Sequence, residues 1–192
     1  MAGKQAKILT DAQVRVCLEH TAKRRHGARN TIMVLLSAKA GLRAGEIAAL
    51  TWAMVSDSSG RIGHAIELED RAAKKGSGRV IPIHPKLRSA LRTLRKETVS
   101  NVGTVITSER GGPMTPGSIV NWFADVYRQL GLNGCSSHSG RRTFITNAAR
   151  RVHRVGGSLR DVQELAGHRS ITMTQSYIDG DTNAKRRLVA LL

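Results

Sequence analysis

Residues 31–41, TIMVLLSAKAG, are apolar on most faces of a helix and end at a glycine. Only a helix surrounded by protein satisfies that pattern, because an all-round apolar surface has no side to turn to water. The rest of the chain must therefore wrap this element. At 192 residues with 40% apolar content, the chain suits one compact domain with a core of useful size and leaves little room for a second.

Around the central helix the sequence predicts mostly further helices. Thr10 and Asp11 form a helix-start signal, and Val14, Cys17 and Leu18 follow at helical spacing toward the basic stretch KRRHGAR, which predicts a first helix ending near Gly27. Pro85 can open a helix through LRSALRTLRKE, and TPGSIVNWFADVYRQLGL predicts another, with Thr115 as its cap and Gly131 as its stop. HSGRRTFITNAARRV and SLRDVQELAGH continue the pattern on either side of a Gly-Gly break, and the tail NAKRRLVALL can form a short amphipathic helix. Two runs differ in kind. RIGHAIEL and RVIPIHP are rich in β-branched residues and flank DRAAKKGSG, the composition of a hairpin loop. The expected fold class is mainly α with a small antiparallel β-sheet, preceded over residues 1–9 by a flexible basic arm.

Charge narrows the partner. Thirty-one Lys and Arg against fourteen Asp and Glu give a formal charge of +17, and an excess of that size favours a polyanion, since each neutralised phosphate releases a counterion. Nucleic acid leads the candidates, although charge alone says nothing about chemistry. No run approaches the roughly 18 apolar residues of a membrane span, and the start MAGKQAKILT lacks a secretory apolar stretch; a cytoplasmic protein is expected. Cys17 and Cys135 form no CxxC pair and read as reduced thiols, and none of the seven His falls in a HExxH or finger spacing. The expectation is metal-free chemistry without a cofactor.

Three strings carry the chemistry. GLRAGE puts Arg43 at a tight turn between helices, with Glu46 three residues on, where the carboxylate can orient the guanidinium or cap the next helix. HSGRR places His138 and Arg141 three apart, on one face of a helix, so that imidazole and guanidinium can converge on one phosphate; taken alone, the string is more simply explained as a capped helix start with exposed basic residues. ELAGHRSITMTQSYI holds His168 and, nine residues later, Tyr177, joined by a Ser/Thr-rich stretch that can turn the chain back. A phenol with an ordinary pKa of about 10 needs neighbouring cations to act as a nucleophile. The other tyrosine, Tyr127, sits in the apolar pattern of Trp122, Phe123 and Val126 and reads as core or helix surface.

GLRAGE, a Lys in a hairpin, HxxR, LAGH and then Tyr, in that order over about residues 30 to 180, resemble the tyrosine recombinase or phage integrase family. The resemblance implies the catalytic-domain fold of that family over residues 10–192, without the N-terminal core-binding domain that most relatives carry. It implies a bacterial or phage-encoded enzyme acting on double-stranded DNA, monomeric or weakly self-associating in free solution and tetrameric on paired sites. Arg43 and Arg141 would clamp the scissile phosphate, His138 and His168 would donate further hydrogen bonds, and Tyr177 would attack. Lys75, with Lys74 as understudy, would protonate the leaving 5′-oxygen; Glu46 would support the site, and Arg142 and Arg169 would touch DNA phosphates.

This chain departs from the family pattern in two places. The interval between Lys75 and Arg79 is shorter than the common Lys-Gly-x-x-x-Arg, and Gly140 and Arg142 stand where relatives often have Leu and His. A DNA-binding regulator of the same fold and a type IB topoisomerase are the rival readings. Intact catalytic positions argue against the first, and the HxxR and LAGH strings against the second.

Overall fold

The computed structural model describes residues 6–73, 76–98 and 102–177, together with 186, 189 and 190. The chain, read above as one domain over residues 10–192, divides into two compact units, Met1–Phe144 and Ile145–Leu192.

The first unit is built around the apolar helix. α1 (Asp11–Ala22), α2 (Gly27–Lys39) and α3 (Ala44–Ala49) follow one another, and α2 contacts α1, α3 and α4 (Pro85–Glu97). Seven consecutive residues of α2, Ile32 to Ala38, are buried, as an all-round apolar helix requires. α4 shows the opposite pattern: Leu87 and Leu91, four apart, are its buried face, while five cations crowd the rest. α5 (Pro116–Gln129) is capped by the Thr115 hydroxyl, which accepts from the Ser118 N–H at 3.1 Å, and it buries Ile119, Phe123, Val126 and Tyr127. Tyr127 is thus core, stacked on Phe123 at 5.9 Å, and burial above all pushes its phenol pKa up.

β1 (Ala65–Leu68) and β2 (Arg79–Pro82) pair antiparallel, with Leu68 opposite Arg79 and Ala65 opposite Pro82. Asp70 closes the hairpin by accepting from the Gly78 N–H at 2.8 Å, and a 3-10 turn at Asp70–Ala72 packs on α3. Lys74 and Lys75 lie outside the described residues.

One predicted boundary moves. The first helix stops at Ala22 rather than near Gly27, and Gly27 opens α2 instead. The reversal between them is held by side chains: Asn30 Nδ2 donates to the Arg25 carbonyl at 2.9 Å, and His26 takes a left-handed conformation at φ +61°. Helical apolar spacing runs through such a reversal without registering it. Residues 6–9, read as the end of a loose arm, are tied down: Lys7 N–H donates to the Gly134 carbonyl at 3.1 Å and Leu9 N–H to Thr143 Oγ1 at 2.8 Å, and Leu9 is buried. The arm's first five residues and most of the C-terminal tail lie outside the described residues.

α6 (Ser139–Arg151) supplies residues to both units. In the second unit a 3-10 turn (Val152–Val155) and the left-handed Gly156 end that run, and Ser158 with Asp161 forms a capping box for α7 (Leu159–Ala166). α7 contacts both that turn and α8 (Ile171–Gln175), a short helix where the sequence suggested only a turning stretch. No helix among the described residues is long and apolar enough to cross a membrane.

The cap of α1 offers a direct check on these local assignments. Thr10 Oγ1 accepts from Gln13 N–H at 3.1 Å while Gln13 Oε1 accepts from Thr10 N–H at 2.9 Å. Thr10→Ala removes half of that box and should lower the free energy of unfolding by about 1 kcal/mol, read as a lower urea midpoint at unchanged slope.

Candidate active site

In the first unit the candidate residues converge on the turn that joins α2 to α3. Gly41 ends α2 with φ +68°, and a Cβ there would come within 2.4 Å of the Phe144 ring on α6. One turn earlier on α2, Ser37 meets Gly140, where a Cβ would lie only 2.3 Å from the Ser37 hydroxyl. Each contact therefore sets a glycine against a side chain of the facing segment. The contact with Ser37 explains the glycine at 140, which departs from the family pattern: a leucine has no room there.

The close approach delivers Arg141, buried to 3% exposure, against the α2–α3 turn, where its Nη1 donates to the Gly41 carbonyl at 2.6 Å. Two residues beyond that carbonyl, Arg43 is the N-cap residue of α3, and Glu46 both caps and orients it. One carboxylate oxygen accepts from Arg43 N–H at 2.9 Å and the other from Arg43 Nη1 at 2.7 Å. The two roles read from GLRAGE are thus performed together. Glu46 also binds Arg79 of β2, at 3.1 and 3.0 Å through the two ends of the fork. Burial pushes the Glu46 carboxyl up, but the Arg79 pair and the Arg43 N–H and guanidinium outweigh it, so the group stays below its ordinary value.

His138 stands at the N-cap position of α6, three residues ahead of the buried Arg141. It stands one residue before α6, exposed, with its carbonyl accepting from Arg142 N–H at 2.9 Å and its N–H donating to Ser136 Oγ at 3.3 Å. Ser136 and Ser139 exchange hydrogen bonds at 2.8 and 3.0 Å and fix that start, a serine turn taking precedence over helix propagation. Arg142 turns to the chain start, Nη1 donating to the Ala6 carbonyl at 2.7 Å.

In the second unit, Gly167 caps α7 in the left-handed conformation and so lifts His168 out of the helix. The His168 carbonyl accepts from Gln163 Nε2 at 3.0 Å, and its Nδ1 lies 3.0 Å from the Thr174 hydroxyl. The Tyr177 ring stacks on the His168 imidazole, with centroids 5.4 Å apart and planes 26° from parallel. Thr146 of α6 donates to the Tyr177 carbonyl at 3.4 Å. Arg169 is exposed. The last two residues of the LAGH-to-Tyr string that matter are therefore neighbours in space, nine positions apart in sequence.

A model of the phage integrase family matches residues 7–184, and the chain belongs to that family. Tyrosine recombinase XerC of Mesorhizobium japonicum is 30% identical over 159 residues, which cover 81% of this chain and 48% of the relative. Tyrosine recombinase XerA of Pyrococcus furiosus is 29% identical over 174 residues, 89% of this chain and 56% of the relative. The chain spans about half the length of these relatives. Among solved structures, the XerA recombinase superposes with a TM-score of 0.75 at 22% identity over 96% of this chain and 64% of its own. XerH, solved on a palindromic difH substrate after cleavage, gives 0.74 at 18% over 99% and 54%. The fold is shared with both.

The residue that sequence reasoning missed is Arg79, which the pattern treated only as the end of the hairpin loop. The usable signal was its place in a β-strand that otherwise carries apolar residues. Because the folded Glu46 carboxyl titrates lower than an unfolded one, its contribution to stability is present above the unfolded pKa of about 4.3 and fades as pH falls below it toward the folded value. The stability gap between wild type and Glu46→Gln should therefore be constant near neutrality and shrink on acidification, as measured by urea unfolding across that range.

Proposed function

We propose that this chain is a site-specific DNA recombinase that cuts and rejoins strands through a covalent 3′-phosphotyrosyl intermediate. The observation that carries the reading is the pair of guanidinium groups built onto one turn, Arg141 bonded to the Gly41 carbonyl and Arg43 two residues on, locked by Glu46. Fixed cations of this kind suit a reaction whose transition state gathers negative charge on non-bridging phosphate oxygens.

In the proposed reaction Arg43 and Arg141 hold those oxygens, and His138 and His168 donate to the same phosphate. Tyr177 Oη releases its proton to water as it bonds to phosphorus, and the bond from phosphorus to the 5′-oxygen breaks. Lys75 supplies the proton that the departing 5′-hydroxyl needs. The phosphodiester energy is kept in the tyrosyl ester, and attack by a 5′-hydroxyl of a partner duplex reverses the step, so neither ATP nor metal takes part. Double-stranded DNA is the proposed partner, bound by monomers that become a tetramer on paired sites, in the cytoplasm of a bacterium.

The nucleophile is tested with a nicked suicide duplex carrying the cognate site. Wild type should form a covalent protein–DNA adduct that Tyr177→Phe does not; an adduct that persists in the variant assigns the chemistry elsewhere. Relaxation of a supercoiled plasmid without any recombination site would favour a topoisomerase instead. Arg141→Ala should slow adduct formation by at least about 10²–10³, the usual loss for one transition-state donor. Its duplex affinity should fall only modestly, because the other cations supply nonspecific binding; equal losses in cleavage and binding would contradict the clamp.

A further inference from the structure

Glu46 is where two distant parts of the first unit meet. Its side chain is 1% exposed and accepts from four nitrogens: the Arg43 N–H and Nη1, and the Arg79 Nη1 and Nη2. Arg79 approaches from the head of β2, 33 positions along the chain, with its side chain 6% exposed against 21% for Arg43. The hairpin is held there by its own 3-10 turn against α3. One guanidinium facing one carboxylate makes a neutral pair, whereas two guanidinium groups on one carboxylate leave a net charge of +1. Of the two, Arg43 is the one nearer to water.

We infer that Arg79 is a positioning residue for strand cleavage, an inference that rests on the function proposed above. Arg79 saturates Glu46 from the buried side, so the carboxylate can hold Arg43 in place without cancelling it. The planar fork of arginine matches both carboxylate oxygens, which lysine could not do from the same position. Without Arg79 the buried carboxylate turns wholly to Arg43, and the cation meant for the phosphate is spent inside the protein.

Charge compensation makes a prediction that a simple packing role does not. Arg79→Met should slow adduct formation on the suicide duplex by about 10²-fold, comparable to losing a donor. Affinity for the duplex should stay within about threefold, since many other cations bind it. Adding Glu46→Gln to Arg79→Met removes the charge that needed compensation and should recover about tenfold or more of the rate, because a double change that erases both members of a buried pair is tolerated better than a single one. Should Arg79→Met fail to fold, the double variant is compared with wild type directly: a rate within about tenfold supports compensation, and a loss of about 10² or more overturns it. Arg79→Met cleaving at the wild-type rate, or a double variant as slow as the single, also overturns it. If the wild-type chain itself forms no adduct on its cognate site, the proposed function falls first and this inference falls with it.

Discussion

The placement of Arg141 depends on how closely α6 approaches α2 and the turn that follows it. Two glycines permit that approach, Gly41 under the Phe144 ring and Gly140 against Ser37. A side chain at either position would push the helices apart. Interiors packed to crystal density cannot absorb such a displacement without moving what lies beside it, and what lies beside it is Arg141 with its bond to the Gly41 carbonyl. The sequence string around Arg141 is thus a helix-contact motif first and a source of a guanidinium second.

Charge at the turn is handled by a similar economy. Arg141 is almost wholly buried, and Arg43 is held at the edge of water by a carboxylate that is itself wholly buried. Buried ions are costly unless paired and fully hydrogen-bonded, and Glu46 meets that condition with four donors. Held rigidly before any ligand arrives, such groups need little reorganisation when charge develops nearby, which is the property that electrostatic catalysis requires. In the second unit the same result is reached with neutral groups: Thr174 and Gln163 hold His168, and His168 backs the Tyr177 ring.

Much of this was legible in the sequence because it is local. The buried α2, the cap at Thr10 and the Arg43–Glu46 pair follow from local patterns, which helix geometry converts directly into contacts, whereas the pattern around Tyr127 left core and helix surface both open. The serine bonds around Ser136 and Ser139 set where α6 begins, one residue after His138. For Arg79 the sequence offered only a hint, a cation heading an otherwise apolar strand. Its partner lies in another element, and only the pairing of β1 with β2 and the seat of the hairpin on α3 bring the two together. The glycine at 140 read as a weakness of the family resemblance, and only the position of Ser37 turns it into a requirement.

The first described residues have a mechanical meaning as well. Ala6 and Leu9 are fastened to Arg142 and Thr143, the two residues that directly follow Arg141. Together with the Lys7 N–H bond to the Gly134 carbonyl, these ties lash residues 6–9 to the start of α6, so the stretch next to the buried guanidinium is braced from outside its own helix.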